Sequence, residues 1–457
     1  MKIIFPSIVR AGLAAVIVSV GAGAASAETL TDAMVAAYKN SNLLDQNRAL
    51  LRAADEDVAG AVAALRPVIS FVANATDSHS DIQGNSRSAS ASISAELVLY
   101  DGGANQLGVD VAKETVLSTR AGLVGVEQQV LLGAVQAYMD VRSAVQNVLL
   151  SESNVRLITQ ELEAARDRFE VGEVTRTDVS IAEAALAAAR SNRVANQGQL
   201  NVAREAYRQA TGKYPGNLAA NVRLPKLPRS QSEARAIALR THPSIIASQH
   251  EVKVAELNVL RTRKSRGPNI TAGASIGRTD GGNDNSSVSL TLRQPIYQGG
   301  ALRALERRAI QQKEATRAGL LNTTSLIDQS VGNAWASLAV SRAQITASGE
   351  QIRAAQLAFE GTQEEAKLGA RTTLDVLDAE QNLLDARAAR IRAEADQYVA
   401  IFTLMASMGL LTAENLNLGI QTYDPTVYYN AVKAAPIRSF QGDQLDGVLK
   451  RLGKEAN

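Results

Sequence analysis

A duplication constrains this chain more than any other feature. Tyr100-Asp101-Gly102-Gly103 returns as Tyr297-Gln298-Gly299-Gly300, 197 positions on. Val171-Gly172 and Asp178 return as Leu368-Gly369 and Asp375, and Thr211-Gly212 returns as Met408-Gly409, all at the same offset. Upstream, Arg66-Pro67 matches Gly267-Pro268 at an offset of 201, so the first half holds extra residues between Pro67 and Tyr100, which reads as a longer loop. Turn signals kept in register over such a length mark two copies of one large supersecondary unit.

The N-terminus reads as an export signal. Lys2 and Arg10 give a basic start, Gly12 to Ala25 is small and apolar, and Ala25-Ser26-Ala27 is a small-residue cleavage site. Residues 1–27 are expected to be removed, leaving Glu28 first. No later stretch approaches the ~18–20 apolar residues of a spanning helix. Cysteine is absent, which excludes disulfides, thiolate metal sites, a cysteine nucleophile and a lipidated N-terminal cysteine. With 48 basic against 46 acidic residues, charge makes no case for nucleic acid. Aromatics make up only 4% and alanine is abundant, which suits long helices packed through small side chains. After the leader there is no proline between Pro67 and Pro215 or between Pro295 and Pro425, windows where helices can run unbroken.

Each copy reads as helix, β-hairpin, long helix, helix. Residues 30–65 are predicted as one helix, capped at Thr29 or Thr31 and stopped by Pro67. Then Ile69, Phe71, Ala73 and Ala75 alternate with polar residues, 77–87 read as a polar loop, and Ala89 to Leu99 alternate with serines. The second copy repeats this with Ile270, Ala272, Ala274 and Ile276, a loop over 280–286, then Val288, Leu290 and Leu292. The hairpins are thus expected over about 67–100 and about 268–297. Strands with one apolar and one Ser/Thr/Asn face fit a soluble sandwich, or a barrel with lipid outside and water inside. Strand length near ten residues and the export signal favour the barrel. Four strands cannot close one alone, and open edges are unstable in lipid, so several copies must close it jointly. The residues do not choose between two copies and three.

After each Tyr-x-Gly-Gly turn comes a long proline-free run. Residues 104–169 would span roughly 100 Å as a helix, which suits a conduit crossing the periplasm. Gly172 and Gly369 break these helices, and Thr175-x-x-Asp178 and Thr372-x-x-Asp375 open the next ones as capping boxes. Leu374, Leu377, Gln381, Leu384, Ala388 and Ile391 keep a 3–4 spacing and read as a coiled-coil seam. The division is therefore 28–229 for the first repeat, with a proline-containing connector from 212, 230–411 for the second, and 412–457 for an irregular tail.

At this point the chain resembles the TolC family of outer-membrane efflux and type I secretion ducts. The resemblance covers the mature chain and rests on the duplicated plan, on Gln294-Pro295-Ile296-Tyr297-Gln298-Gly299-Gly300 and on the segment Gly369-Ala370-Arg371-Thr372-Thr373-Leu374-Asp375-Val376-Leu377-Asp378. The missing lipidation cysteine is similar to the secretion-type branch. The resemblance implies a mainly α protein with transmembrane β: a homotrimer with one twelve-stranded outer-membrane barrel continued by a long periplasmic α-helical barrel. It implies no chemistry and no cofactor. It implies a Gram-negative outer membrane and its lipid as the setting, and a periplasmic adaptor and an inner-membrane pump or ABC transporter as partners.

The same resemblance assigns candidate residues. Asp375 and Asp378 match constriction aspartates, three copies of which would ring the periplasmic mouth, where acidic rings favour cations. The plainer reading is helix capping at a dipole end. Arg371 matches a gating arginine, with Thr177 and Asp178 as its partners on the neighbouring hairpin; as a plain surface arginine it would contribute little. The family's closing tyrosine is replaced by Ala366, which implies either a weaker lock or substitution by Glu364 or Glu365. The turns at Gly172 and Gly369 match adaptor-docking tips. His79, His242 and His250 show neither metal nor catalytic spacing. Asp280-Gly281-Gly282-Asn283-Asp284 reads as a hairpin tip and lacks a cation loop's distal glutamate. A periplasmic coiled-coil adaptor or structural protein that never enters the membrane is the alternative, and the lipid-type alternation of the strands favours the duct.

Overall fold

The computed structural model describes residues 27–80, 84–219, 221–280, 282–435 and 444. The export signal, except for Ala27, and most of the tail past 435 lie outside the described residues.

The first copy opens with α1 (Leu30–Asn40) and α2 (Asn42–Ala63), and the second with α5 (Gln231–Thr241) and α6 (Pro243–Lys264). The single helix expected over 30–65 is therefore two. Ser41 breaks it by turning extended (φ −76°, ψ 109°) and capping α2, its Oγ accepting from Leu44 N at 3.2 Å. His242 does the same in the second copy, at φ −70° and ψ 124°, ahead of Pro243 at the first position of α6.

Next come β1 (Val68–Ser80) with β2 (Gly84–Tyr100), and β3 (Asn269–Thr279) with β4 (Asp284–Arg293). They form one antiparallel sheet in the order β1-β2-β3-β4. The pairings repeat with the sequence: Ala73 faces Ala91 as Ala274 faces Val288, and Ile69 faces Ala95 as Ile270 faces Leu292. The extra residues of the first hairpin lengthen its strands, not its loop. Much of the expected loop over 77–87 is ladder, because polar residues stay paired there: Asp77 opposes Arg87, with an ion pair at 3.1 Å. Strand pairing needs only the backbone, so a polar stretch in water carries it as well as an apolar one.

The ladder aligns apolar residues in rows. Phe71, Ile93 and Ile276 share one row, Ile69, Ala95, Ala274 and Val288 another, and Leu97, Ala272 and Leu290 a third. Cross-strand partners share a face, so these rows form one continuous apolar surface with serines behind it. No described residue covers it: Val288 is 90% exposed and Leu290 71%. At its outer end the band stops at Arg278 opposite Asp284.

The long helices are α3 (Ala104–Glu170) and α7 (Ala301–Lys367), 67 residues each, or about 100 Å. Each returns through a shorter helix, α4 (Arg176–Thr211) or α8 (Thr373–Ser407). α3 packs along α4, α7 along α8, and α3 meets α8, which joins the two copies. The main core sits halfway along, where Leu131, Val135 and Tyr138 of α3 meet Phe402 and Leu404 of α8 and Leu30 and Met34 of α1. Glu28 is pinned there: its carboxylate accepts from Tyr207 Oη at 2.7 Å and Gly216 N at 3.0 Å, and pairs with Lys213 at 2.8 Å. Within its described residues the expected irregular tail contains α9 (Pro425–Val432), capped by Asp424 and laid against α2. Among the described residues no helix is long and apolar enough to cross a membrane.

Candidate functional site

The candidate site is the far end of the long helices, where two turns of one design lie. α3 ends in a Schellman turn: Glu173 N donates to Arg168 O at 2.9 Å and Gly172 N to Phe169 O at 3.0 Å. α7 ends likewise, with Ala370 N on Glu365 O at 2.9 Å and Gly369 N on Ala366 O at 3.1 Å. Both glycines sit at φ +78°, the left-handed region that this turn requires. The residue before each is apolar and open to solvent, Val171 at 71% and Leu368 at 85%.

The helices that follow begin with reciprocal capping boxes. Asp178 Oδ2 accepts from Thr175 N at 2.9 Å and Oγ1 at 2.6 Å, and Asp178 N donates back to Thr175 Oγ1. Asp375 and Thr372 repeat this at 2.9 and 2.8 Å. The threonine hydrogen bonds hold both carboxyls below the usual aspartate range. Asp378 is exposed one turn further along α8.

Arg371 does not meet Thr177 or Asp178 within the chain; among the described residues no hydrogen bond or ion pair joins them. Its Nε donates to Glu365 Oε2 at 2.8 Å instead. Glu364 is taken by Lys367 at 2.7 Å. Ala366 is buried with Phe359, Val376 and Leu383.

Sequence reasoning missed a second polar group deeper in the bundle. Glu380 of α8 is only 4% exposed, and neither of its oxygens has a hydrogen-bond partner among the described residues. Glu161 of α3, 8% exposed, accepts from Gln363 Nε2 of α7 at 2.7 Å. Burial, and then the Glu161 carboxylate, push the Glu380 carboxyl up to about 7. A signal was present. Glu380 continues the stripe of Val376 and Leu383, which is the buried stripe of α8, whereas the expected seam residues Leu377, Leu384 and Ile391 are only half-buried. The two stripes are adjacent on one helix, so spacing alone does not say which one faces the same chain.

No group of three or more His, Cys, Asp or Glu fit to hold a metal occurs among the described residues. His242 is a helix cap and His250 pairs with Glu114 at 2.8 Å.

The family described as "Outer membrane efflux protein" matches this chain twice, over residues 33–213 and 235–410. The chain belongs to that family. The double match restates the duplication. Outer membrane efflux protein BepC of Brucella suis is 37% identical over 417 residues, covering 90% of this chain and 91% of that protein. Outer membrane protein TolC of Vibrio cholerae is 25% identical over 439 residues, 91% of this chain and 97% of that one. The Campylobacter jejuni CmeC outer membrane channel has the same fold, with a TM-score of 0.73 over 89% of each chain at 16% identity. The TolC-family resemblance therefore holds, and the chain is an outer-membrane channel protein of the efflux and secretion type.

Proposed function

We propose that three copies of this chain form one exit duct, with twelve strands closed into a barrel and the long helices into a tunnel across the periplasm. The observation that carries this reading is the open sheet. Its apolar face crosses all four strands in the row Ile69–Ala95–Ala274–Val288, flanked by apolar rows on three strands, while β1 and β4 remain edges. Such a face needs lipid, and lipid forbids open edges, so other copies must close the sheet. A periplasmic adaptor would have no use for it.

The periplasmic mouth is the gate in this reading. Asp375 and Asp378 would ring it in three copies each, and Arg371 would reach Thr177 and Asp178 of a neighbouring copy, with Glu365 holding it from the near side. The exposed Val171 and Leu368 beside Gly172 and Gly369 suit docking by a periplasmic adaptor, which would couple the duct to an inner-membrane pump or ABC transporter. Cargo would be small toxic molecules, unfolded proteins or both. The protein purified in detergent should have the mass of three chains and should need detergent to leave the envelope. Release with the soluble periplasm, or a stable monomer, would contradict this.

A further inference from the structure

The duplication supplies an internal control for Glu380. Moved back by the 197-residue offset, Glu380 becomes Glu183 and Gln363 becomes Arg166. In the first copy those two form an ion pair, Arg166 Nη2 to Glu183 Oε1 at 2.7 Å, half in water. In the second copy the arginine is a glutamine, which turns to Glu161 instead. The carboxylate has kept its place, lost its cation and become buried. It lies where α8 of the second copy packs on α3 of the first, between an apolar cluster with Ile158 and Leu162 and another with Phe359 and Leu383.

We propose that Glu380 and Glu161 form a proton-binding joint between the two helical hairpins, closed while Glu380 holds a proton and forced apart when it loses it. This rests on the duct reading, whose opening would separate α3/α4 from α7/α8. A neutral Glu380 carries no charge into the dry seam, where neither of its oxygens has a hydrogen-bond partner among the described residues and the Glu161 carboxylate already takes the Gln363 amide. Without that proton, two like charges would face each other in a dry seam. Among the described residues no hydrogen bond or ion pair neutralises Glu380. Glu161 faces the joint from α3 and the uncharged Gln363 amide from α7, and α4 contributes Ala182 and Leu186. The arginines of the packed helices are engaged elsewhere: Arg166 and Arg168 of α3 bond Glu183 and the Ala366 carbonyl, and Arg387 of α8 bonds Gln356. An opened joint would return Glu380 to water and to its ordinary 4.5, while the closed joint holds its proton up to about 7. The closed form thus binds more protons, and it loses ground as pH rises through that window.

The test compares wild type, Glu380→Gln and Gln363→Arg in planar bilayers from about pH 5 to about pH 8.5, with infrared difference spectra over the same range. Wild type should open on the order of 10–100-fold more often across the window and lose a protonated-carboxyl band near its middle. Glu380→Gln should lose both the conductance step and the band. Gln363→Arg should restore the first copy's ion pair and also abolish both. A step and band retained in Glu380→Gln would overturn the proposal. If the protein conducts at no pH, the duct reading fails, and the infrared band alone still decides whether Glu380 holds a proton.

Discussion

Thr372 and Asp375 close on each other through a single carboxylate oxygen: the backbone N–H and the hydroxyl of Thr372 both donate to Asp375 Oδ2, at 2.9 and 2.8 Å. The capping and pore roles of Asp375 are therefore compatible, because the other oxygen is left over for the tunnel. Asp375→Asn should keep an acceptor for the cap and lose the charge, so cation selectivity should fall with only a small drop in the melting midpoint. Asp178→Asn, in the matching box, should leave selectivity nearly unchanged. Reversal potentials across a salt gradient, beside thermal unfolding, separate the two roles. The low-shifted Asp375 carboxyl binds its proton more weakly folded than unfolded. Its contribution is present above the ordinary aspartate range and is lost as pH falls below it.

Gly369 and Gly409 share a φ of +78° but not a neighbourhood. A Cβ at 369 meets nothing within 4 Å, whereas one at 409 would lie 2.6 Å from the Thr241 carbonyl oxygen and 2.8 Å from His242 Cα. Gly369→Ala should cost only the left-handed strain, about 1–2 kcal/mol, seen as faster amide exchange at the tip. Gly409→Ala must also push α8 off the α5–α6 junction and should lower folded yield outright. Equal effects at the two sites would contradict this packing.

Asp55 of α2 is 0% exposed, and its ion-pair partner Arg120 lies 3.8 Å away. Burial pushes its carboxyl up to about 6 despite the arginine. The folded state holds this proton more tightly than the unfolded chain, so stability falls as pH rises from the ordinary aspartate value through about 6. Asp55→Asn should remove that loss, giving about 1–3 kcal/mol at pH above the window and little below it. Denaturant melts at two pH values check it.

The two faces of the sheet predict opposite tolerances. Leu290→Arg, on the apolar face, should cost about 2–4 kcal/mol in the membrane and reduce insertion. Asn74→Arg, on the serine-rich face, should insert normally and change conductance. Outer-membrane yield and single-channel current read the two outcomes.

The sequence announced the duplication because turns have strict chemistry: the glycines at 172, 212, 369 and 409 all adopt positive φ. Strand alternation was legible for the same kind of reason, since a period of two survives any environment. What stayed hidden depended on neighbours. Ser41 breaks a helix by a local side-chain cap that competes with an otherwise helical run. Asp77 and Arg87 looked like loop until they were seen as cross-strand partners. Glu380 stayed unnoticed because periodicity placed the seam one stripe away. Arg371 meets Glu365, not Thr177 or Asp178, within the chain, while Glu364 goes to Lys367, a choice between adjacent glutamates that depends on coordinates.

The central claim, a duct closed at its periplasmic mouth, is tested most directly by single-channel conductance of the purified mature protein in a planar bilayer, wild type beside Arg371→Ser. The account predicts a small cation-selective conductance that rises several-fold in the mutant. A conductance unchanged by the mutation would remove Arg371 from the gate. No conductance from folded, membrane-inserted protein would contradict the duct itself.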